Sequence, residues 1–344
     1  MPGLGPRLMR FANTRSNASE LAREMAGNAG FGDRTMTLNG SMITTIRPIR
    51  PIRPIRRYRP GRLGPILLIV ALALTSTSCS GFAFKTFYRN LDTLIQSRMD
   101  NYLAMTSSQE EFIDGRINHH YRWHRYAELP NYADTCSDLA ERIDRGLKRD
   151  DLEFIYGKLR KYRIRLASRI YPDAKQFLTD FDSSLIAEQE RLIAEYNQEL
   201  AEKVARPASE KFQERLKSNV EFFEFFLGDL NESQKQRIRR YTTQSEDTSA
   251  LYLAYRRMNQ TRLISLLKKG DSAHADIDKF LKQYLFNWEA LYPVAYRNAV
   301  NRNRSLFYDT VLDLDASMSS SQRNHASNKV RELGRNFLEL AGKL

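Results

Sequence analysis

The chain is predicted to be all-α: an elongated bundle of about seven to ten helices, preceded by a disordered leader and a signal or anchor helix. Three observations predict this. From residue 84 onward, apolar side chains recur at three- and four-residue steps, the spacing of one helix face. Helix breakers are scarce there: seven of the eleven prolines lie before residue 66, and only Pro130, Pro172, Pro207 and Pro293 follow. No convincing alternation of apolar and polar residues marks a strand. The 266 residues of 79–344 are enough to bury a substantial core.

Residues 1–41 show no apolar periodicity and are expected to be a disordered or non-native extension, with translation starting at Met36 or Met42. Residues 42–78 have the three parts of a secretory signal. The stretch 42–64 carries seven arginines and no acid, 65–75 is an uncharged apolar run, and small residues then lead to Cys79. The string "STSC" resembles a bacterial lipoprotein signal, whose lipobox is usually Leu-Ala/Ser-Gly/Ala-Cys; Ser76 stands where that pattern has Leu. The resemblance implies a lipidated Cys79, a lipid bilayer partner through it, and a mature chain of 79–344. Ser80 rather than Asp beside it is what outer-membrane sorting permits, so the expected place is the periplasmic face of the outer membrane. The competing reading is an uncleaved inner-membrane signal anchor, because 64–84 contains no charge. Its strongly apolar part, however, is about ten residues against the ~20 that a span needs. Either way the arginine flank stays in the cytoplasm and the body is exported.

The body reads as helix after helix. Phe84, Phe87, Leu91, Leu94, Ile95, Met99 and Tyr102 form the first stripe. Others run through 150–170, 184–202, 209–227, 234–268, 276–291, 295–313 and 322–341, with turns expected at 128–132, 171–173, 206–209, 268–272 and 291–293. Three strings recur, "MTSSQ", "LNESQ" and "MSSSQ", with a fainter "FDSSL" at 181–185. Each reads as a capping box, in which a small polar side chain accepts from the N3 amide while a glutamine reaches back to the cap's own N–H. Thr106 with Gln109, Asn231 with Gln234, and Ser319 with Gln322 should therefore each open a helix. Their uneven separations exclude a stacked solenoid.

The net charge of +13 does not point to nucleic acid. Residues 1–78 hold 12 arginines against 3 acids, so the leader carries +9 and the body, with 42 basic and 38 acidic residues, only +4. In the body the two signs alternate, as on solvated helix faces. With Cys79 lipidated, Cys136 is the remaining thiol, read as a small half-buried residue without a redox or catalytic partner motif.

The apolar-Thr/Asn/Ser-x-x-Gln string resembles the LTxxQ motif of small periplasmic stress proteins of the Spy and CpxP type, which are helical and bind unfolded or envelope proteins. The string "WHRYAELPNYADTCSDL", at 123–139, is closer to an uncharacterised family of Gram-negative lipoproteins with a WHR…LPxY signature. These resemblances imply a helical periplasmic domain over roughly 75–340, with unfolded or envelope proteins as partners, and no established activity.

For chemistry, His120, His124 and Glu128 are spaced i, i+4, i+8, and such a set on one helix face could chelate zinc. Against it, Pro130 is expected to end the helix near Glu128. The preferred reading makes Trp123 a core anchor, has His124 and Arg125 bond across to neighbouring elements, and expects no metal or other cofactor. In 219–230, Phe222, Phe223, Phe225 and Phe226 cover more than one helix face, so Phe222 and Phe226 either bury in the core or line a groove for hydrophobic clients. The basic stretches 162–171 and 255–270 could lie on anionic headgroups. No phosphate loop, GxSxG elbow or HExxH string is present, and a non-enzymatic binding protein is expected.

Overall fold

Among the described residues the leucine- and charge-rich stripes become twelve α-helical segments, the third and fourth joined through a π-turn into one continuous rod. The computed structural model describes residues 80–344; the leader, the signal segment and Cys79 lie outside the described residues. In order, the helices are α1 Ser80–Arg89, α2 Leu91–Tyr102, α3 Ser107–Trp123, α4 Leu129–Asp144, α5 Arg149–Thr179 and α6 Ile186–Ala205. They continue as α7 Ala208–Leu227, α8 Glu232–Gln244, α9 Ser249–Leu267, α10 His274–Phe286, α11 Val294–Ala316 and α12 Ser320–Leu340. Short 3₁₀ turns precede α6, α10 and α11, and no strand occurs among the described residues. The all-α bundle is the predicted class.

Three expected boundaries fall elsewhere, each for a physical reason. The expected turn at 128–132 is helical: the chain passes Pro130 by widening into the π-turn His124–Glu128, where the Leu129 N–H reaches the His124 carbonyl. That extra residue relieves the clash between a proline ring and the carbonyl four residues back. Pro172 likewise sits inside α5. It and Ser168, whose carbonyl loses its partner, both lie on the exposed face, where water can satisfy the oxygen. Conversely, the single stripe expected over 234–268 breaks at 245–248. There Ser245 closes α8, and the Asp247 carboxylate accepts from the Ser249 N–H at 3.0 Å.

The closest helix pair is antiparallel α4 and α12. Cys136, Ala140 and Ile143 of α4 meet Ala326 and Val330 of α12 in a core of small residues. Beside it, Phe223, Leu227 and Leu230 pack on Ile238 of α8 and Leu314 of α11. Near the far end of α5, Ile264, Leu266 and Leu267 of α9 join Ile277 and Phe280 of α10.

The recurring strings are helix caps, and they work in pairs. Thr106, Asn231 and Ser319 are N-cap residues with complete capping boxes to Gln109, Gln234 and Gln322. Gln234 and Gln322 also bond to each other reciprocally, amide to amide at 3.0 and 2.9 Å. Each then donates to the carbonyl two residues before the other's cap: Gln234 to Ser317 at 3.3 Å and Gln322 to Asp229 at 2.8 Å. A looser copy joins the first and faintest strings. Gln109 donates to the Asp180 carbonyl at 3.0 Å, two residues before Asp182, whose side chain caps the next turn. Leu185 cannot return the bond, and Gln189 does so instead, bonding the Tyr102 carbonyl at 2.9 Å and the Ala104 N–H at 3.1 Å. Because Gln234 is only 1 % exposed, Gln234→Leu strands several buried groups at once. It should cost about 2 kcal/mol, read as a Tm lower by roughly 5 °C. Adding Gln322→Leu should cost less than the sum of the two single losses.

Candidate functional site

The π-turn places three consecutive side chains of the "WHR" string on three different elements. Trp123, half-buried, stacks against the Arg169 guanidinium of α5 at 5.7 Å. His124 lies between two tyrosines: Nδ1 is 2.8 Å from the Tyr88 hydroxyl of α1, and Nε2 is 3.1 Å from the Tyr132 hydroxyl of α4. A neutral imidazole satisfies both, accepting at one nitrogen and donating at the other. Arg125 donates from Nε to the Leu340 carbonyl at the end of α12, where a cation also complements the helix dipole. The motif thus fastens the first helix and the last helix to the same rod. Around it, Tyr88, Leu129, Leu340 and Ala341 form a buried cluster with Phe84 and Phe337 packed against it.

The second half of the motif locks onto α5. The Asn131 carbonyl accepts from the Tyr162 hydroxyl at 2.7 Å and from Thr135 at 3.1 Å, while the Asn131 amide donates to the Ala127 carbonyl at 2.6 Å. Glu128 is fully buried, with Oε1 2.7 Å from Nη2 of Arg165. Burial raises its carboxyl pKa, and the Arg165 charge pulls against that rise.

The three residues weighed as metal ligands do not converge. His120 is bonded to Asp173 of α5 at 2.6 Å, a carboxylate shared with Arg116. His124 is held by the two tyrosines and Glu128 by Arg165, since the π-turn rotates the rod between positions 124 and 128. Among the described residues no group of three His, Cys, Asp or Glu could hold a metal ion.

Burial lowers the His124 pKa, and it lowers that of His120 in spite of Asp173. For a folded-state pKa below the unfolded one, the unfolded chain takes the proton first as pH falls. Stability is therefore full above about pH 6.5 and declines below it. His124→Gln should shrink the Tm loss between pH 7.5 and pH 5.5 without abolishing it, because His120 remains. An unchanged loss would mean that folding does not displace the His124 pKa.

Phe222 and Phe226 are half-buried and pack against the buried cluster of Phe223, Leu227 and Leu314, with their own rings 5.3 Å apart. Cys136 is buried, and burial pushes its thiol up to about 11, which keeps it unreactive at neutral pH. The basic stretch at 162–171 sends Tyr162, Arg165 and Arg169 to Thr135, Glu128 and Trp123, while the Arg165 side chain stays 47 % exposed. Its roles in the site were missed because a basic stripe reads equally as solvated; the alternation of Tyr162 with Arg163, Arg165 and Arg169 was the available signal. Tyr88 was read only as part of a helix, since nothing local ties it to a histidine 36 residues on.

Residues 101–297 match a family of unknown function, DUF6279, a span that includes the whole "WHR…LPNY" motif and its α5 partners. No curated protein and no solved structure matches the chain.

Proposed function

The chain belongs to the DUF6279 family of unknown function, and we propose that it is an exported, membrane-anchored lipoprotein whose helical body binds envelope proteins at the membrane surface. The observation that carries this reading is the position of α1. It runs from Ser80, the first described residue and the neighbour of the candidate lipidated cysteine, and three of its side chains bind the body. Phe84 meets Phe337 edge to face at 5.6 Å, Lys85 pairs with Glu339 at 2.5 Å, and Tyr88 is held by His124. An acyl chain on Cys79 would therefore hold the body against the bilayer instead of letting it range on a tether.

The packed phenylalanine cluster favours folded partners over unfolded clients, because the most apolar stretch of the body is used internally. In cells fed labelled palmitate, the parent should carry label and Cys79→Ala should carry none. An unlabelled parent would instead support an uncleaved signal anchor. Purified body should not suppress aggregation of an unfolding protein at equimolar ratio; suppression would restore the client-holding reading.

A further inference from the structure

The guanidinium of Arg163, midway along α5, is the charge that the packing leaves least explained. It lies flat on the Trp288 ring at 3.3 Å, and its Nη1 is buried without a hydrogen-bond partner. Glu289 is within electrostatic reach, but its oxygens are taken by the Tyr156 hydroxyl at 3.1 Å and Arg160 at 3.2 Å. Below it, Tyr255, Trp288, Tyr292 and Tyr296 form a buried aromatic floor in which the Tyr292 hydroxyl also lacks a partner. Burying a cation without an anion is costly, and buried polar groups in native proteins are otherwise satisfied.

A half-enclosed cavity of about 140 Å³ opens on this residue, lined by Arg163, Tyr252, Tyr255, Arg256, Asn259 and Tyr284. Arg256, the second cation, is held in place by Asn197 at 3.3 Å and by stacking on Tyr196 at 4.1 Å. Tyr284, 42 % exposed, stands at the surface. By contrast, the larger cleft beside α7 has its charges paired internally, Lys211 with Asp247 and Arg215 with the Thr242 and Ser245 carbonyls.

We propose that the α5–α9–α10 cavity binds the oxyanion head of a small organic anion, a carboxylate or a phosphate, gripped by Arg163 and Arg256 between tyrosine walls. Paired guanidinium groups suit both anions, since planar N–H donors match their oxygens. The cavity has room for an oxyanion and a few further atoms. This site is independent of the membrane-anchor reading, since it uses no residue near Cys79.

Calorimetric titration of the full chain in detergent, with sodium phosphate and with sodium benzoate at ionic strength fixed by chloride, tests it. Saturable millimolar or tighter binding is expected, and the arm that saturates identifies the head group. Arg163→Gln should weaken that binding at least ten-fold while its own Tm, without anion, stays level or rises, because an unpaired buried charge is gone. A purely structural Arg163 would instead lower Tm. Arg256→Gln should weaken binding as well. Failure of both anions to saturate, or equal affinity in parent and both variants, overturns the site.

Discussion

Asp151→Asn should lower the stability of the body by about 2.5 kcal/mol near neutral pH and leave it almost unchanged near pH 1. Asp151 sits in the first turn of α5 and is 2 % exposed. Burial alone would raise its pKa. The Arg145 guanidinium at 2.6 Å, the Lys148 N–H at 2.9 Å and the Arg142 guanidinium overrule that and bring it down to about 2. Since the folded-state pKa lies below the unfolded value, the stabilisation is present above about pH 4 and fades as pH falls toward 2. Asparagine keeps the shape but loses the charge, leaving two arginines without their anion and the first turn with Asp150 as its carboxylate. Thermal melts should place the variant roughly 5–10 °C below the parent at pH 7 and converge with it in acid. A gap that persists near pH 1 would assign the loss to packing.

Gly334→Val should be at least as damaging, at about 3 kcal/mol. Gly334 is where α12 approaches α4 most closely: a Cβ there would stand 3.1 Å from the Cys136 Cβ and 3.4 Å from the Ala133 carbonyl oxygen. Neither neighbour is a flexible side-chain end, so the helices themselves must part, and the Ala140, Ala326 and Val330 contacts loosen with them. Gly334→Ala is the informative control. Alanine gains about 1 kcal/mol in helix propensity, so a net loss there measures the steric conflict directly. A denaturation midpoint above the parent's for Gly334→Ala would show that the interface has slack.

The fold class, most helix limits and the capped starts were legible because they depend on local chemistry: apolar spacing, and a small polar residue three positions before glutamine. Pro130 and Pro172 misled because a breaker's cost depends on what surrounds it, a π-turn in one case and a solvent-facing carbonyl in the other. The pairing of the caps was not legible. Gln234 and Gln322 look like helix-start residues from sequence, and their mutual bond spans 88 positions. At the candidate site, the "WHR" residues were singled out and the bonding of His124 and Arg125 to other elements anticipated, but not their partners Tyr88, Tyr132 and the Leu340 carbonyl. Arg163 read only as one cation of a basic stretch, since its peculiarity is the absence of an anion, a property of the packing.

The reading rests on α1 joining the proposed lipid-bearing residue to the body that the motif fastens together. Mass spectrometry of the N-terminal peptide from membrane-extracted protein tests it most directly. The prediction is a mature chain beginning at Cys79 with a thioether-linked diacylglycerol. A chain that begins upstream and carries Cys79 as an unmodified internal thiol would contradict it.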